Sequence, residues 1–216
     1  MDQELKDSIV KTGTTILGIV CKDGVVMASD RQITQGQIKG NVFNKTVIIN
    51  DYTLLSYAGN ASDAQRFGKL LSAELKLLEL RNKSRPTIKK VANFLASMTY
   101  SSIRQPAVIP PIVASLIGGV NEDGSFGLYS ISPDGTIMPI EKFESEGSGG
   151  VFVIGLLERQ YKKDVTVKEG IELAKEALKS STQRDLYSGL GIDIFTITKD
   201  GIKKAIEQEI KPNYGD

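Results

Sequence analysis

The sequence predicts an α+β fold: a four-layer αββα sandwich in which two antiparallel sheets stack face to face and helix pairs cover their outer faces. Three observations favour this fold class. Strand-like segments come in hairpins joined by Asp-Gly and Asn-Asp turns, helical segments come in consecutive pairs, and no Gly-, Pro- or Ser-rich linker divides the chain. Strict alternation of strand and helix, typical of doubly wound parallel sheets, is absent.

Two hairpins open the domain. We expect strands over Thr15–Cys21 and Val25–Ser29, because the Asp-Gly pair between them is a strong turn signal. The β-branched and apolar segments Thr46–Ile49 and Thr53–Ala58 form a second pair around turn-forming residues. Hairpins of this kind predict antiparallel pairing.

A pair of helices follows the hairpins. Apolar residues on a helical period predict a helix over Ser62–Asn82, and the capping-box pattern Ser62-Asp63-Ala64-Gln65 marks its start. A second helix is expected over Thr87–Arg104, and Pro106 stops it.

The second half of the chain repeats this order with three strands, two helices and a closing hairpin. A second capping box, Thr166-Val167-Lys168-Glu169, predicts the start of the last helix. The expected elements are strands over Ile112–Gly118, Phe126–Ser132 and Thr136–Phe143, helices over Val151–Tyr161 and from Thr166, and strands over Ile192–Thr198 and Ile202–Ile210.

Composition excludes several classes of function. The chain has 216 residues, and its 27 Lys and Arg nearly balance 26 Asp and Glu, so neither nucleic acid nor a membrane surface is an expected partner. The first residues carry both charge signs, and no segment reaches the ~18 apolar residues of a membrane span, which predicts a cytoplasmic protein. One cysteine allows no internal disulfide and no Cys-based zinc site. We expect no metal and no other cofactor.

The absence of histidine is the most informative feature of the composition. Ser-His-Asp and Cys-His catalysis and HExxH zinc sites are impossible within a chain that has no histidine. Any hydrolytic chemistry must therefore use another base. The only thiol, Cys21, is expected to be a small buried hydrophobe, with a nucleophilic role as its alternative.

The Gly13-Thr14 pair before the first strand allows two interpretations. It is either a flexible entry to an ordinary strand or a cleavage site. Cleavage after Gly13 would give Thr14 a free α-amine with a pKa of roughly 7.7–8.0, which suits a general base. One residue would then supply nucleophile and base together. Residues 1–13 would be a propeptide, and residues 14–216 a single catalytic domain.

A series of short motifs extends in fixed order from Gly13 to about Thr198 and covers most of the chain. The motifs are Gly13–Ile19, Asp23–Arg31, Tyr57–Gly59, Asp63–Gln65, Glu146–Gly149, Gly155–Glu158, Gln183–Asp185 and Ser188–Gly189. This series resembles the proteasome β subunit of archaeal type, a threonine peptidase family.

The resemblance implies the Ntn-hydrolase form of the four-layer fold. It also implies assembly with proteasome α subunits and other β subunits into seven-membered rings, stacked as an α7β7β7α7 barrel. Unfolded polypeptides would be degraded inside this barrel by threonine-dependent proteolysis, and a regulatory ATPase would act through the α ring.

The resemblance assigns catalytic roles to residues that match the family's motifs. Thr14 would be nucleophile and base, Asp30 the essential acid and Lys45 the essential lysine. The loop before Lys45 is a residue short, so Lys39 is an alternative. Taken alone, Asp30 and Lys45 would be a solvated turn carboxylate and a surface charge. The remaining matches are Gly59, whose N–H would face the oxyanion, and a polar group around the threonine amine, Ser148, Asp185 and Ser188.

The resemblance also implies a peptide-binding cleft. An extended substrate would add as an antiparallel strand beside Thr34 and Ala61. Gln32 stands where an arginine is common, and Tyr57 stands where a smaller or aliphatic residue is usual, which would narrow or reshape the S1 pocket. That pocket would favour apolar P1 residues and would be formed by Ile33, Lys45, Val47, Tyr57 and Ala61.

Two other functions stay open at this point. A catalytically silent or weakly active structural β subunit of the same ring would retain residues 1–13. An amidohydrolase acting on small amides could share the fold and the nucleophile without forming rings.

Overall fold

The computed structural model describes residues 13–35 and 38–210, apart from the side chains of Gln35, Ile38 and Lys39. The predicted propeptide therefore lies outside the described residues except for Gly13, and so does the side chain of the alternative lysine, Lys39.

Strands and helices alternate in blocks along the described chain. The strands are β1 (Ile16–Cys21), β2 (Gly24–Asp30), β3 (Gln32–Gln35), β4 (Ile38–Val42), β5 (Thr46–Asn50), β6 (Thr53–Gly59), β7 (Val113–Val120), β8 (Phe126–Ile131), β9 (Ile137–Pro139), β10 (Phe143–Glu146), β11 (Gly191–Thr198) and β12 (Gly201–Glu209). The helices are α1 (Ala61–Asn82), α2 (Ile88–Ile103), α3 (Gly150–Gln160) and α4 (Val167–Arg184).

Two five-stranded antiparallel sheets form the centre of the molecule. The first has the order β10-β1-β2-β11-β12, and the second has the order β5-β6-β7-β8-β9. Strands β3 and β4 form a separate two-stranded ribbon that leaves the end of β2. Every strand pairing among the described residues is antiparallel.

Alternating side chains along β2 explain how the layers stack. Val26 and Ala28 face α3 and α4 in one buried apolar cluster, whereas Val25 and Met27 face the second sheet in another. A third cluster joins the outer face of the second sheet to α1 and α2, where Leu71 is fully buried. The layers are thus a helix pair, a sheet, a sheet and a helix pair, and the predicted fold class is confirmed.

The helix starts were predicted with mixed success. The Thr166 capping box is present, with reciprocal bonds between Thr166 and Glu169. The box predicted from Ser62 is wrong, because Asn60 is the N-cap of α1 and its side chain accepts the backbone N–H of Ser62 at 3.1 Å. An Asn side chain one residue before the helix satisfies that free N–H, so the helix begins at Ala61.

The strand predicted over Thr136–Phe143 is also wrong. The chain forms β9, ends it at Pro139 and then crosses to the other sheet, where β10 pairs with β1. Proline has no N–H for a ladder, which limits β9 to the sheet edge. The crossing matters because it brings the loop after β10 against the start of β1. The β3–β4 ribbon was not predicted, since its polar and glycine-rich sequence lacks an apolar alternation.

Candidate active site

Thr14 is buried at the start of β1, where three parts of the chain meet. Its backbone N–H donates to Ser148 Oγ at 3.1 Å, and its carbonyl accepts the N–H of Gly149 at 3.3 Å. Its hydroxyl donates to the carbonyl oxygen of Gly13 at 2.6 Å. The Thr14 hydroxyl therefore lies directly beside the Gly13–Thr14 peptide bond.

A buried ion pair lies on one side of this bond. Lys45 Nζ is 2.6 Å from Asp30 Oδ1, and both side chains are almost fully shielded from solvent. Asp30 Oδ1 also accepts the N–H of Thr15 at 2.8 Å. Its second oxygen accepts the backbone N–H groups of Gln32 at 2.9 Å and Gly189 at 3.0 Å. Four donors thus hold Asp30 in one orientation.

Burial changes the proton affinity of both partners. It raises the pKa of Asp30 above its ordinary value, although Lys45 and the backbone donors oppose the shift. It lowers the pKa of Lys45, although Asp30 opposes that shift. A lysine with a lowered pKa gives up its proton more readily than an ordinary lysine does, which suits it to proton transfer.

The ammonium of Lys45 also faces the Gly13–Thr14 bond. Its Nζ is 3.4 Å from the carbonyl oxygen of Gly13, which already accepts the Thr14 hydroxyl. Two donors on one carbonyl oxygen draw electron density from its carbon and favour nucleophilic attack there.

A second polar cluster lies around the backbone nitrogen of Thr14. Asp185 Oδ2 accepts the hydroxyls of Ser148 at 2.7 Å and Ser188 at 2.6 Å. Ser148 in turn contacts Thr14 N, whereas the Ser188 hydroxyl lies 2.7 Å from Thr15 Oγ1. Ser188 therefore reaches Thr14 only through its neighbour. The structure brings six predicted polar residues together here: Thr14, Asp30, Lys45, Ser148, Asp185 and Ser188.

The loop between β10 and α3 requires glycine to approach Thr14 this closely. Gly147 has φ +95°, and a Cβ on it would lie 2.0 Å from the carbonyl oxygen of Thr14. A Cβ on Gly149 would lie 1.9 Å from Thr15 Oγ1. The glycines on both sides of Ser148 thus allow its hydroxyl to reach Thr14 N.

Arg31, the residue after Asp30, anchors the end of β2 to the neighbouring strands. Its Nε lies 3.6 Å from a carboxylate oxygen of the buried Asp193, and its NH2 group lies 3.0 Å from Glu207. Lys204 Nζ lies 3.4 Å from the other Asp193 oxygen. Burial raises the pKa of Asp193, and the two cations oppose the shift. This network holds the strand end that carries Asp30.

A small cavity opens beside Gly13 and Thr14 on the side of the β3–β4 ribbon. Gly59, at its edge, has φ +121°, and a Cβ there would lie 2.2 Å from the carbonyl oxygen of Ile112. The close packing of β6 on β7 therefore requires glycine at this position. The other predicted cleft residues around the cavity are Ile33, Thr34, Lys45, Tyr57 and Ala61.

Val47, predicted to line the same pocket, lies instead in a groove of about 680 Å³ on the other side of Tyr57. Tyr57 and Phe43 line both spaces and separate them. The Tyr57 hydroxyl donates to the carbonyl oxygen of Asn44 at 3.0 Å, and its ring packs edge-on against Phe43. These contacts keep Tyr57 in its place as a wall between the cavity and the groove.

The sequence segments that carry these site residues match a known protein family. A model of the proteasome subunit family matches residues 10–197, which is most of the sequence. The chain belongs to the proteasome family. The part of the chain that the match covers includes Thr14, both polar clusters and the cavity.

Relatives in this family match nearly the whole chain. A protein named proteasome subunit beta from Nanoarchaeum equitans is 42% identical over 192 residues, covering 88% of this chain and 96% of the relative. Proteins of the same name from Archaeoglobus profundus and Methanothermobacter thermautotrophicus are 38% and 37% identical, and each alignment covers 96% of this chain. They span 94% and 97% of those relatives.

Several contacts of this proteasome-family site were not expected from the sequence. Thr15 binds both Asp30 and Ser188. The only sign of these contacts in the sequence is that Thr15 directly follows Thr14. Gln32 is fully buried, and its amide donates to Thr34 Oγ1 and to the carbonyl oxygen of Leu186, each at 3.0 Å. Its side chain thus joins the cleft to the loop after α4.

Two features are absent from the described residues. No helix there combines the length and the apolar character needed to cross a bilayer. The same residues contain no cluster of three or more acidic or cysteine side chains arranged to hold a metal ion.

Proposed function

We propose that this chain is a threonine-type endopeptidase subunit of the proteasome core, with Thr14 as its nucleophile after cleavage of the Gly13–Thr14 bond. One observation carries the proposal. Thr14 contacts the Ser148–Asp185 cluster through its nitrogen, while its hydroxyl shares the Gly13 carbonyl with Lys45 of the buried ion pair. The names of the relatives support the assignment to a β subunit.

Self-cleavage follows from the same arrangement. The Thr14 hydroxyl oxygen attacks the Gly13 carbonyl carbon, and its proton passes to a neighbouring base, for which Lys45 is suited once deprotonated. The C–N bond then breaks, the nitrogen takes up a proton, and Gly13 remains as an ester on the hydroxyl. Water hydrolyses this ester, which releases the propeptide 1–13 and frees the α-amine of Thr14.

The freed amine completes the catalytic group for substrates. Its ordinary pKa of roughly 7.7–8.0 suits a general base. The nearby Lys45 ammonium disfavours a second positive charge on that amine, and Asp30 holds Lys45 in place. Ser148 remains within reach of the nitrogen and orients its protons. The N–H of Gly59 stabilises the oxyanion that forms when the hydroxyl attacks a peptide carbonyl.

Substrates bind as an extended strand beside Thr34 and Ala61. Backbone hydrogen bonds of this kind accept many sequences, which suits the degradation of unfolded polypeptides. The S1 pocket is apolar and is closed by Tyr57, so small apolar P1 residues are favoured.

Assembly completes the enzyme in this proposal. Leu70, Leu77 and Leu80 of α1 leave large apolar side chains exposed, as expected of a surface that another subunit covers. We place the chain in seven-membered β rings between α rings, with a regulatory ATPase acting through the α ring in the cytoplasm. The complete set of polar groups around Thr14 argues against a silent structural β subunit, and the names of the relatives argue against a small-amide hydrolase.

The test is the mass of the subunit in assembled particles, together with their peptide hydrolysis. Wild-type subunits should lose residues 1–13 and hydrolyse peptides, and a peptide boronate or epoxide should label Thr14. Thr14→Ala should retain the propeptide and lose hydrolysis. Thr136→Ala, in an exposed turn between β8 and β9, is the matched control and should behave like wild type. An intact propeptide with normal hydrolysis would overturn the proposal.

A further inference from the structure

The residue before the proposed cleavage bond packs directly against Tyr187. A Cβ built on Gly13 would lie 1.6 Å from Tyr187 Cβ, 2.4 Å from its Cγ and 2.9 Å from its Cα. Contacts this short do not occur between real atoms, and they involve the base of the tyrosine and its backbone. Rotation of the ring cannot relieve them. Tyr187 therefore leaves space for glycine alone at position 13.

The loop that carries Tyr187 is hydrogen-bonded to residues of both polar clusters around Thr14. Its own N–H donates to Asp185 Oδ1 at 3.3 Å, from the carboxylate that also binds Ser148. Two residues later, Gly189 donates its N–H to Asp30 at 3.0 Å. On the remaining side, the buried Gln32 holds the carbonyl of Leu186. Tyr187 is thus fixed relative to Thr14 and cannot move away without disturbing both clusters.

The carbonyl oxygen of Gly13 contacts the reacting groups. This oxygen accepts the Thr14 hydroxyl at 2.6 Å and lies 3.4 Å from Lys45 Nζ. Gly13 therefore packs against the base of Tyr187 while its carbonyl oxygen contacts Thr14 and Lys45. A shift of Gly13 away from Tyr187 would move its carbonyl out of this position.

We propose that Tyr187 is a positioning residue for self-cleavage: its Cβ and backbone act as a stop against Gly13 that presents the Gly13 carbonyl to Thr14 and Lys45. This inference rests on the proposed cleavage after Gly13. It explains why position 13 requires glycine, and it assigns Tyr187 a role that ends when Gly13 leaves. Cleavage of the propeptide should therefore depend on Tyr187 more strongly than peptide hydrolysis by subunits already cleaved.

The test is a set of exchanges at positions 13 and 187, made in the full chain assembled with its partner subunits. Gly13→Ala should slow propeptide loss about 100-fold, because an ångström-scale displacement of reacting atoms costs that much. Adding Tyr187→Gly removes the clashes with Cβ and Cγ, leaves only the 2.9 Å approach to Cα, and should restore most of the cleavage. Adding Tyr187→Ala is the matched control, because alanine keeps the Cβ that clashes, and it should restore nothing.

Single exchanges at position 187 give an independent measurement. Tyr187→Ala keeps the whole stop and should cleave at nearly the wild-type rate, whereas Tyr187→Gly loses the Cβ part of it and should cleave more slowly. Hydrolysis per cleaved subunit should be the same in both variants. The time course of propeptide loss is followed by mass spectrometry on particles whose assembly is verified by native mass.

Particular outcomes would overturn the inference. They are normal cleavage of Gly13→Ala, equal rescue by Tyr187→Gly and Tyr187→Ala, or equal cleavage of the two single variants. The last comparison decides the matter if the double variants do not assemble. Failure of the proposed function looks different, since wild-type particles would then hydrolyse peptides with the propeptide still attached.

Discussion

The two ends of β1 each carry a side chain that could act as a nucleophile. Thr14 lies just before the strand and Cys21 at its end, and their exposed fractions are nearly equal, at 4% and 6%. Their surroundings are opposite in character. Thr14 contacts Ser148 and lies beside the Lys45 ion pair. Cys21 lies in an apolar cluster between the first sheet and α4, with its thiol beside the backbone of β1.

The surroundings of the two side chains decide their reactivity more than the identity of the reacting atom does. A thiolate is intrinsically the stronger nucleophile. Burial, however, raises the pKa of Cys21 to about 12, and the negative charges of Asp23 and Glu169 add to the shift. The Thr14 hydroxyl is the weaker nucleophile of the two, but proton donors and acceptors surround it. Four predictions test this comparison, in order of decreasing effect.

The largest effect is expected from replacing Lys45, the proposed proton-transfer group at the Thr14 end. Lys45→Ala leaves Asp30 buried without its cation, which costs about 3–5 kcal/mol of stability. Lys45→Arg keeps a positive charge but cannot release a proton. Both should slow propeptide loss strongly, and the subunits that are cleaved should hydrolyse peptides about 10²–10⁴-fold more slowly, measured by subunit mass and initial rates.

Lys69→Ala, on the exposed side of α1, is the control for these exchanges and should leave both measurements unchanged. Normal hydrolysis by Lys45→Arg particles would show that Lys45 supplies only charge.

A smaller loss is expected from Asp185→Asn. The carboxylate oxygen accepts two hydroxyls, from Ser148 and Ser188, and an amide nitrogen in its place could accept neither. Misplaced hydroxyls should lower hydrolysis by up to about 100-fold without preventing assembly. Asp200→Asn, in the exposed turn between β11 and β12, is the matched control. Equal rates for the two variants would contradict a role for the Asp185 cluster.

At the other end of β1, Cys21→Ala should change stability but not activity. Removing a buried sulfur from the apolar cluster should cost about 1 kcal/mol of unfolding free energy, seen as a lower melting temperature. Peptide hydrolysis and propeptide loss should stay at wild-type values. Loss of hydrolysis in this variant would revive the thiol as a nucleophile.

The smallest effect concerns the reactivity of the thiol itself. With a pKa of about 12, about one Cys21 in ten thousand is thiolate at pH 8, so iodoacetamide should not label the folded subunit. Labelling should appear in urea, where the pKa returns to its ordinary value. Since the folded pKa is the higher one, this group's contribution to stability is complete below about pH 9 and falls as the pH rises toward 12. Rapid labelling of the folded subunit at pH 8 would contradict the assignment.

Local patterns predicted several of the elements whose deciding interaction lies within a few residues. The Thr166 capping box is an example, because both of its bonds join residues three apart. The predictions were wrong where a neighbouring residue decided the helix cap or where pairing with the other sheet decided the end of a strand. Asn60 replaced Ser62 as the cap of α1, and pairing with β1 drew β10 away from β9.

The proposed catalytic residues show the same division. Periodicity alone marked neither Asp30 nor Lys45, and only the resemblance to proteasome β subunits selected them. The resemblance also grouped Val47 with the S1 residues, whereas Val47 lines a separate groove beside Tyr57. Contacts between a side chain and a distant loop leave no local trace in the sequence, because they depend on how whole layers pack.

By itself, the sequence determined the alternation of apolar residues that builds two sheets and two helix pairs, and the lack of histidine that requires another base. Those properties depend on composition and on local periods. The tertiary structure alone decided that Lys45 faces the Gly13 carbonyl, that Asp185 joins two serines, and that Tyr187 occupies the space beside Gly13. Each of these contacts joins elements far apart in the chain, so each exists only once the layers have packed.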